Sequence, residues 1–141
     1  MTSQRSISDR KILVVDDEVI MVDIVTAHLN RAGFWNIIGI SDPLDVISII
    51  PRESPDLMLV DVSMPNLSGH ELIELVRQDP VTSHLPVVVV TGTRDPQAHK
   101  RAMELGASEV VTKPIRPERL LKAVSAALGG ASGTNTNSKS A

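Results

Sequence analysis

The chain has 141 residues, of which 42% are hydrophobic, and a formal net charge of −3, which favours one globular domain over a disordered chain. Cysteine is absent, which excludes disulfides, thiolate metal sites and a cysteine nucleophile. Because no apolar run suits a signal peptide or membrane helix and no basic stripe with interleaved aromatics occurs, we expect a cytoplasmic protein without membrane or direct nucleic-acid partners.

Strands and helices are predicted to alternate through the first half of the chain. Residues 11–15 form a continuous apolar run, which is typical of a strand covered on both faces in a parallel sheet. Apolar residues then recur at spacings of three and four up to Gly33, which predicts a helix that ends there. Residues 34–40 predict a second strand. A short helix is expected to begin at Asp42-Pro43, to run to about residue 50 and to be broken over residues 51–55, which begin and end with proline.

The second half repeats this alternation, and polar residues come directly after its strands. The predicted strands cover residues 57–60, 86–91 and 109–112, and the predicted helices cover residues 68–78, 98–105 and 117–128. Asp61 follows the first of these strands, Thr91 ends the second and Lys113 follows the third. Earlier in the chain, Asp16 and Asp17 follow the strand over residues 11–15.

Five strands alternating with five helices predict an open α/β sheet with parallel strands and right-handed crossovers. We expect residues 1–10 to be a flexible lead and residues 11–128 to be the domain. Residues 129–141 are rich in Gly, Ser, Thr and Asn, so they are expected to be a disordered tail or a truncated linker.

In such sheets the ligand crevice lies beyond the carboxyl ends of the strands, and the polar residues converge there. Clustered carboxylates repel one another by about 4 kcal/mol per pair, so they need a cation between them. Oxygen ligands in a shallow site suit Mg²⁺. A carboxylate can then act as a nucleophile toward phosphorus, with Lys113 supplying positive charge and Thr91 a hydroxyl donor.

Each of these residues also has a purely structural explanation. Asp17 and Glu18 can favour a helix N-terminus, Thr91 can simply end a strand, and Lys113-Pro114 can form a turn. The functional interpretation therefore depends on the whole set occurring at the ends of four strands.

A family resemblance is carried by five motifs: VVDDE at residues 14–18, LVDVSMP at 59–65 with SG at 68–69, VTG at 90–92, GA at 106–107 and TKP at 112–114. With them, residues 10–128 resemble the receiver domain of bacterial two-component response regulators. The resemblance implies a flavodoxin-like (βα)5 three-layer sandwich with strand order 2-1-3-4-5. It also implies that Asp61 accepts a phosphoryl group from the phosphohistidine of a sensor histidine kinase or phosphotransfer protein.

The resemblance also implies a Mg²⁺ site at these residues. Asp17, Asp61 and the backbone carbonyl of Ser63 would ligate the ion, and Asp16 would act largely through water. Ser63 and Thr93 are expected near the phosphoryl group, at positions whose side chains in receivers tune the hydrolysis of the aspartyl phosphate.

Lys113 would pair with Asp61 and then with the phosphoryl group, while Thr91 would swing to donate to a phosphoryl oxygen. The peptide before Pro114 is expected to be cis. Receivers often carry a Tyr or Phe at the position of Val110, and its rotation follows the threonine. Since Val110 cannot do this, we expect the signal to run through the loop after Thr91, or to be weaker.

The surface that changes is expected to comprise the fourth helix, fifth strand and fifth helix. It lies in the basic part of the sequence, since residues 81–141 hold eight basic and four acidic side chains. It would include the charged residues Lys100, Arg101, Glu104, Arg116, Arg119 and Lys122. This surface would control an unknown output protein or a missing output domain, and it is a possible dimer interface.

Two other functions match parts of this pattern. A phosphatase of the haloacid-dehalogenase type needs a second Asp two residues after its nucleophile, where this chain has Ser63. A receiver-like interaction module acting without phosphorylation would not need the acidic set. We therefore expect a phosphorylatable signalling domain that assists its own phosphoryl transfer and dephosphorylation, not an enzyme acting on other substrates.

Overall fold

The computed structural model describes residues 6–64 and 67–131. Its strands are β1 (Ile12–Val15), β2 (Ile37–Ile40), β3 (Leu57–Val60), β4 (Val87–Thr91) and β5 (Glu109–Thr112). They form one parallel sheet in the order β2-β1-β3-β4-β5. The predicted flavodoxin-like strand order is therefore confirmed.

Five α-helices connect and follow these strands: α1 (Val19–Arg31), α2 (Val46–Glu53), α3 (Gly69–Gln78), α4 (Pro96–Glu104) and α5 (Pro117–Ala131). Short 3₁₀ helices cover Ile7–Asp9 and Pro43–Asp45. Within the described part of the chain, no helix combines the length and apolar character that crossing a membrane requires.

The helices form layers on both sides of the sheet. Leu13 and Val15 of β1 join one apolar cluster with α2, α3 and α4, whereas Ile12 and Val14 join a second cluster with α1 and α5. Every residue of β1, β3 and β4 is buried. The two covered faces explain why these strands are continuous apolar runs, and each fully buried aliphatic side chain contributes about 1.5–3 kcal/mol.

Strand β2 is shorter than the predicted strand over residues 34–40. Phe34, the first of those residues, is bonded to the end of α1 and does not pair in the sheet. Its N–H donates to the Leu29 carbonyl (3.0 Å), and its carbonyl accepts from Asn30 Nδ2 (2.9 Å). Gly33 adopts φ +102° at this turn, a conformation that glycine accepts without strain. Pairing with β1 begins only at Ile37.

The second helix is predicted to run to about residue 50 and to be broken over residues 51–55; it ends within that range but later than expected, because α2 continues through Pro51 to Glu53. Proline lacks an N–H, so at this position it removes one intrahelical bond, and that bond lies in the last turn of the helix. The helix ends instead at Ser54, whose backbone is left-handed (φ 48°) and whose N–H donates to the Ile50 carbonyl (2.8 Å).

The predicted domain boundaries differ at both ends from the elements observed. Helix α5 continues to Ala131, beyond the expected boundary at residue 128. Within the expected lead, Ser6 caps the 3₁₀ helix Ile7–Asp9, and Asp9 accepts a hydrogen bond from Trp35 Nε1 (2.8 Å). Residues 1–5, the Pro65-Asn66 part of the predicted turn, and residues 132–141 lie outside the described residues.

Candidate functional site

The carboxyl edge of the sheet brings together the polar residues predicted from the sequence. Asp16 and Asp17 follow β1, Asp61 follows β3, Thr91 ends β4 and Lys113 follows β5. Since β3 lies between β1 and β4, Asp61 is central to the set. Asp16, Asp61 and Thr91 are the buried polar residues of the described chain.

Lys113 connects the site across three strands. Its Nζ donates to Asp16 Oδ2 (2.8 Å) and to Asp61 Oδ2 (2.9 Å). Glu18 Oε1 lies 3.7 Å from the same nitrogen, although the Glu18 side chain is 66% exposed. No pattern in the sequence distinguishes Glu18 from an ordinary acid at a helix start.

The second oxygen of each buried carboxylate is held by the backbone. Asp16 Oδ1 accepts from the Glu18 N–H (3.0 Å), and Asp61 Oδ1 accepts from the Ser63 N–H (2.9 Å). Burying a charge is costly unless it is hydrogen-bonded and paired, and both carboxylates meet that condition. Their orientation is thereby fixed before any ligand binds.

Burial and ion pairing act in opposite directions on the pKa values of Asp16 and Lys113. Burial raises the pKa of the Asp16 carboxyl, although Lys113 and the Glu18 N–H oppose this effect. Burial acts to lower the pKa of Lys113, but its bonds to Asp16 and Asp61 outweigh burial and raise it. One ammonium shared between two carboxylates is itself strongly stabilised, yet it compensates each carboxylate only in part.

The arrangement fits a hard divalent cation. One carboxylate oxygen from each of Asp16, Asp17 and Asp61 lies within 4.8 Å of the others. Oxygen-only ligands of this kind are those that Mg²⁺ prefers. The adjacent cleft of about 360 Å³ is lined by Asp17, Glu18, Asp61, Ser63, Gly92, Thr93 and Lys113. It offers room for a phosphoryl group beside the carboxylates.

Thr91 is fully buried at the end of β4. Its carbonyl accepts from the Lys113 N–H (2.8 Å), and its Oγ1 accepts from the Thr93 N–H (3.3 Å). The hydroxyl keeps its own proton for donation. The Lys113–Pro114 peptide is cis, and Val110 lies half-buried in β5, where it packs against the cluster beneath α2, α3 and α4.

Gly69 allows α3 to begin close to the site. A Cβ at this position would collide with the backbone of Asp61 and Val62, and the Gly69 N–H donates to the Val62 carbonyl (3.3 Å). Ser68 and Glu71 form a capping box at the same helix start. This close approach explains why the sequence motif requires glycine at position 69.

Several charged side chains of the expected output surface are paired, either within this surface or with α3. Lys100 lies 4.0 Å from Glu104, and Arg101 Nη2 lies 3.5 Å from Glu74 Oε2. Arg119 donates to Glu109 Oε2 (2.5 Å) and to the Val110 carbonyl (3.3 Å). The charges of this surface are therefore distributed over α4, β5 and α5 and mixed in sign.

Comparison with curated proteins identifies related sequences. Protein PilH of Pseudomonas aeruginosa is 34% identical over 121 residues, which are 85% of this chain and 98% of PilH. The phosphate regulon transcriptional regulatory protein PhoB of Klebsiella pneumoniae is 31% identical over 119 residues, covering 84% of this chain and 52% of PhoB. The chain spans about half the length of several curated relatives, including 45% of the probable transcriptional regulator ycf27 of Guillardia theta.

Solved structures and a family comparison agree with these relatives. The chemotaxis protein CheY4 of Vibrio cholerae superposes with a TM-score of 0.78 at 27% identity, covering 85% of this chain and 99% of that chain. A receiver domain protein of Clostridium thermocellum gives 0.79 at 28% identity, covering 87% and 97%. Residues 12–125 match the family described as Response regulator receiver domain. The chain therefore belongs to the response regulator receiver domains of two-component systems.

Proposed function

We propose that this domain is a phosphoacceptor in a two-component phosphorelay, and that Asp61 receives the phosphoryl group from a phosphohistidine. The donor would be a sensor histidine kinase or a phosphotransfer protein in the cytoplasm. The observation that carries the proposal is the setting of Asp61: its carboxylate is anchored by the Ser63 N–H and Lys113, and lies within 4.8 Å of Asp16 and Asp17.

Asp61 is oriented as a nucleophile by its two hydrogen bonds. An oxygen of its carboxylate attacks phosphorus, so that a P–O bond forms while the P–N bond to the donor imidazole breaks. The electron pair of that P–N bond stays on the imidazole nitrogen. Asp16, Asp17 and Asp61, with the Ser63 carbonyl, would hold Mg²⁺, which supplies positive charge to the phosphoryl oxygens.

Lys113 and Thr91 would stabilise the product. Transfer adds negative charge next to the Lys113 ammonium, which already lies 2.9 Å from Asp61 Oδ2, so the lysine can pair with a phosphoryl oxygen as well. The Thr91 hydroxyl can turn from the Thr93 N–H and donate its proton to another phosphoryl oxygen. Each new bond is charge-assisted and therefore favours the rearranged site.

The output of this change would be read on α4, β5 and α5. Some relatives carry further domains, since the chain spans only about half of PhoB, whereas it spans nearly all of PilH. We propose that this surface controls a separate partner or an attached output domain, and that it is the place where two phosphorylated copies would associate.

The test uses acetyl phosphate as the phosphodonor and intact-protein mass spectrometry as the readout. We expect one added phosphoryl group in the presence of Mg²⁺ and a large loss of labelling with a chelator. Asp61→Asn should abolish labelling. Asp23→Asn, on the exposed side of α1, is the matched control and should label like the unmodified chain. Equal labelling of both variants would refute the assignment of Asp61.

A further inference from the structure

In the loop between β4 and α4, the backbone of Thr93 forms hydrogen bonds with Thr91 and with His99. The Thr93 N–H donates to Thr91 Oγ1 (3.3 Å), and the Thr93 carbonyl lies 2.7 Å from His99 Nε2. Because a carbonyl oxygen can only accept, Nε2 must carry a proton and donate it. The Thr93 backbone is therefore bound to Thr91 on one side and to His99 on the other.

His99 is fixed in the first part of α4. Its backbone N–H donates to the Asp95 carbonyl (3.2 Å), and Asp95 caps the helix by accepting from the Gln97 N–H (3.0 Å). The Asp95 N–H in turn donates to Thr93 Oγ1 (3.3 Å). The loop and the start of α4 thus form one hydrogen-bonded unit, and the imidazole spans from the helix back to the loop.

Two further polar contacts of α4 are made with α3. His70 Nε2 donates to the Ala98 carbonyl (2.9 Å), and Arg101 lies 3.5 Å from Glu74. On the β5 side, Val110 offers only apolar packing against the cluster that includes Ala102. Val110 supplies no aromatic ring that could follow Thr91. Two hydrogen bonds connect Thr93, the partner of Thr91, to α4: the Asp95 N–H donates to Thr93 Oγ1 at the helix cap, and His99 Nε2 donates to the Thr93 carbonyl from within the helix.

We propose that His99 is a positioning residue that couples Thr91 to α4. When the Thr91 hydroxyl turns to a phosphoryl group, it releases the Thr93 N–H. The backbone of Thr93 then moves, including its carbonyl, and the 2.7 Å bond from His99 to that carbonyl transmits the movement to the first turn of α4. This inference rests on the proposed function, because Thr91 is expected to turn only when Asp61 is phosphorylated.

The test is an amide NMR titration of the full chain with Mg²⁺ and beryllium fluoride, a phosphoryl mimic. In the unmodified protein we expect shifts at residues 61–63, 91–95 and 96–104. His99→Leu should leave the first two groups shifted and lower about fivefold the equilibrium constant between the shifted and unshifted forms of α4, read from the α4 shifts, which is the effect of losing one net hydrogen bond. His99→Gln should restore them, because its amide nitrogen can replace Nε2 as donor. His84→Leu, an exposed histidine outside this loop, is the control.

The outcomes separate the two proposals. Full α4 shifts in His99→Leu, with normal labelling by acetyl phosphate, would overturn the coupling role and leave phosphorylation standing. No labelling and no shifts in the unmodified protein would overturn both. If His99→Leu fails to fold, imidazole NMR of the unmodified protein decides: the His99 Nε2 resonance must shift on adding beryllium fluoride while that of His84 does not. An unmoved His99 resonance contradicts the coupling.

Discussion

Two half-buried cations lie at opposite ends of the sheet, and their partners differ in kind. At the carboxyl edge, Lys113 binds the carboxylates of Asp16 and Asp61. At the amino edge, Arg77 of α3 donates to four backbone carbonyls, those of Ser83, Leu85, Leu105 and Gly106, at distances of 2.7–3.3 Å. One cation faces charges and the other faces neutral dipoles.

This difference in partners distinguishes the candidate functional site from a structural contact. The carbonyls around Arg77 are neutral, so the guanidinium holds the loops before β4 and β5 in place without forming an ion pair there. Burial lowers the pKa of Arg77. Around Lys113 the carboxylates outnumber the ammonium, which leaves negative charge for a second cation. The same energetic rule, that a buried charge must be satisfied, is thus met by neutral carbonyls at one edge and by an excess of carboxylates at the other.

The largest effect is expected for Lys113→Met in the absence of divalent cations. Removing the ammonium leaves two buried carboxylates uncompensated, which should lower the free energy of unfolding by about 3–5 kcal/mol. Saturating Mg²⁺ should recover much of this loss, because the ion then compensates the same carboxylates. Urea unfolding with chelator and with Mg²⁺ measures both. A loss of equal size under the two conditions would argue against an excess of negative charge.

A somewhat smaller loss is expected for Arg77→Met. The substitution leaves four carbonyls without their charged donor, and we expect a decrease of about 2–4 kcal/mol in the free energy of unfolding. Mg²⁺ should not restore it, since no carboxylate is involved. Arg77→Lys keeps the charge but loses the planar fork, so its loss should be intermediate. Recovery of Arg77→Met by Mg²⁺ would remove the contrast between the two edges.

The smallest effect is expected for Glu18→Gln. Glu18 lies 3.7 Å from Lys113 Nζ, but its side chain is 66% exposed, so water and salt screen the pair. The free energy of unfolding should change by less than about 0.5 kcal/mol, and labelling by acetyl phosphate should persist. Loss of labelling in this variant would mean that Glu18 belongs to the reactive set.

The carboxyl edge could be predicted from the sequence. Parallel strands end at the same side of a sheet, so Asp16, Asp61, Thr91 and Lys113 could be brought together from their positions after apolar runs. The strand order itself rested on the family resemblance. Burial restricts a central strand to a few residue types, and for that reason the polar residue at its end is easy to recognise.

Contacts that end on backbone atoms could not be predicted in the same way. Every residue has a carbonyl, so neither the four acceptors of Arg77 nor the Thr93 carbonyl at His99 has a sequence signature. The predicted end of α2 lies about three residues too early for a related reason. Local propensity favours an end before Pro51, whereas the helix is closed by a backbone bond from the Ser54 N–H to the Ile50 carbonyl, which has no sequence signature.

The most direct measurement is the position of the phosphoryl group. The protein is treated with acetyl phosphate and Mg²⁺, reduced with borohydride, which converts an aspartyl phosphate to homoserine, and sequenced by tandem mass spectrometry. We predict homoserine at position 61 alone, and none when Mg²⁺ is chelated. Homoserine at position 16 or 17, or at no position while the donor is consumed, would contradict phosphoryl transfer to Asp61.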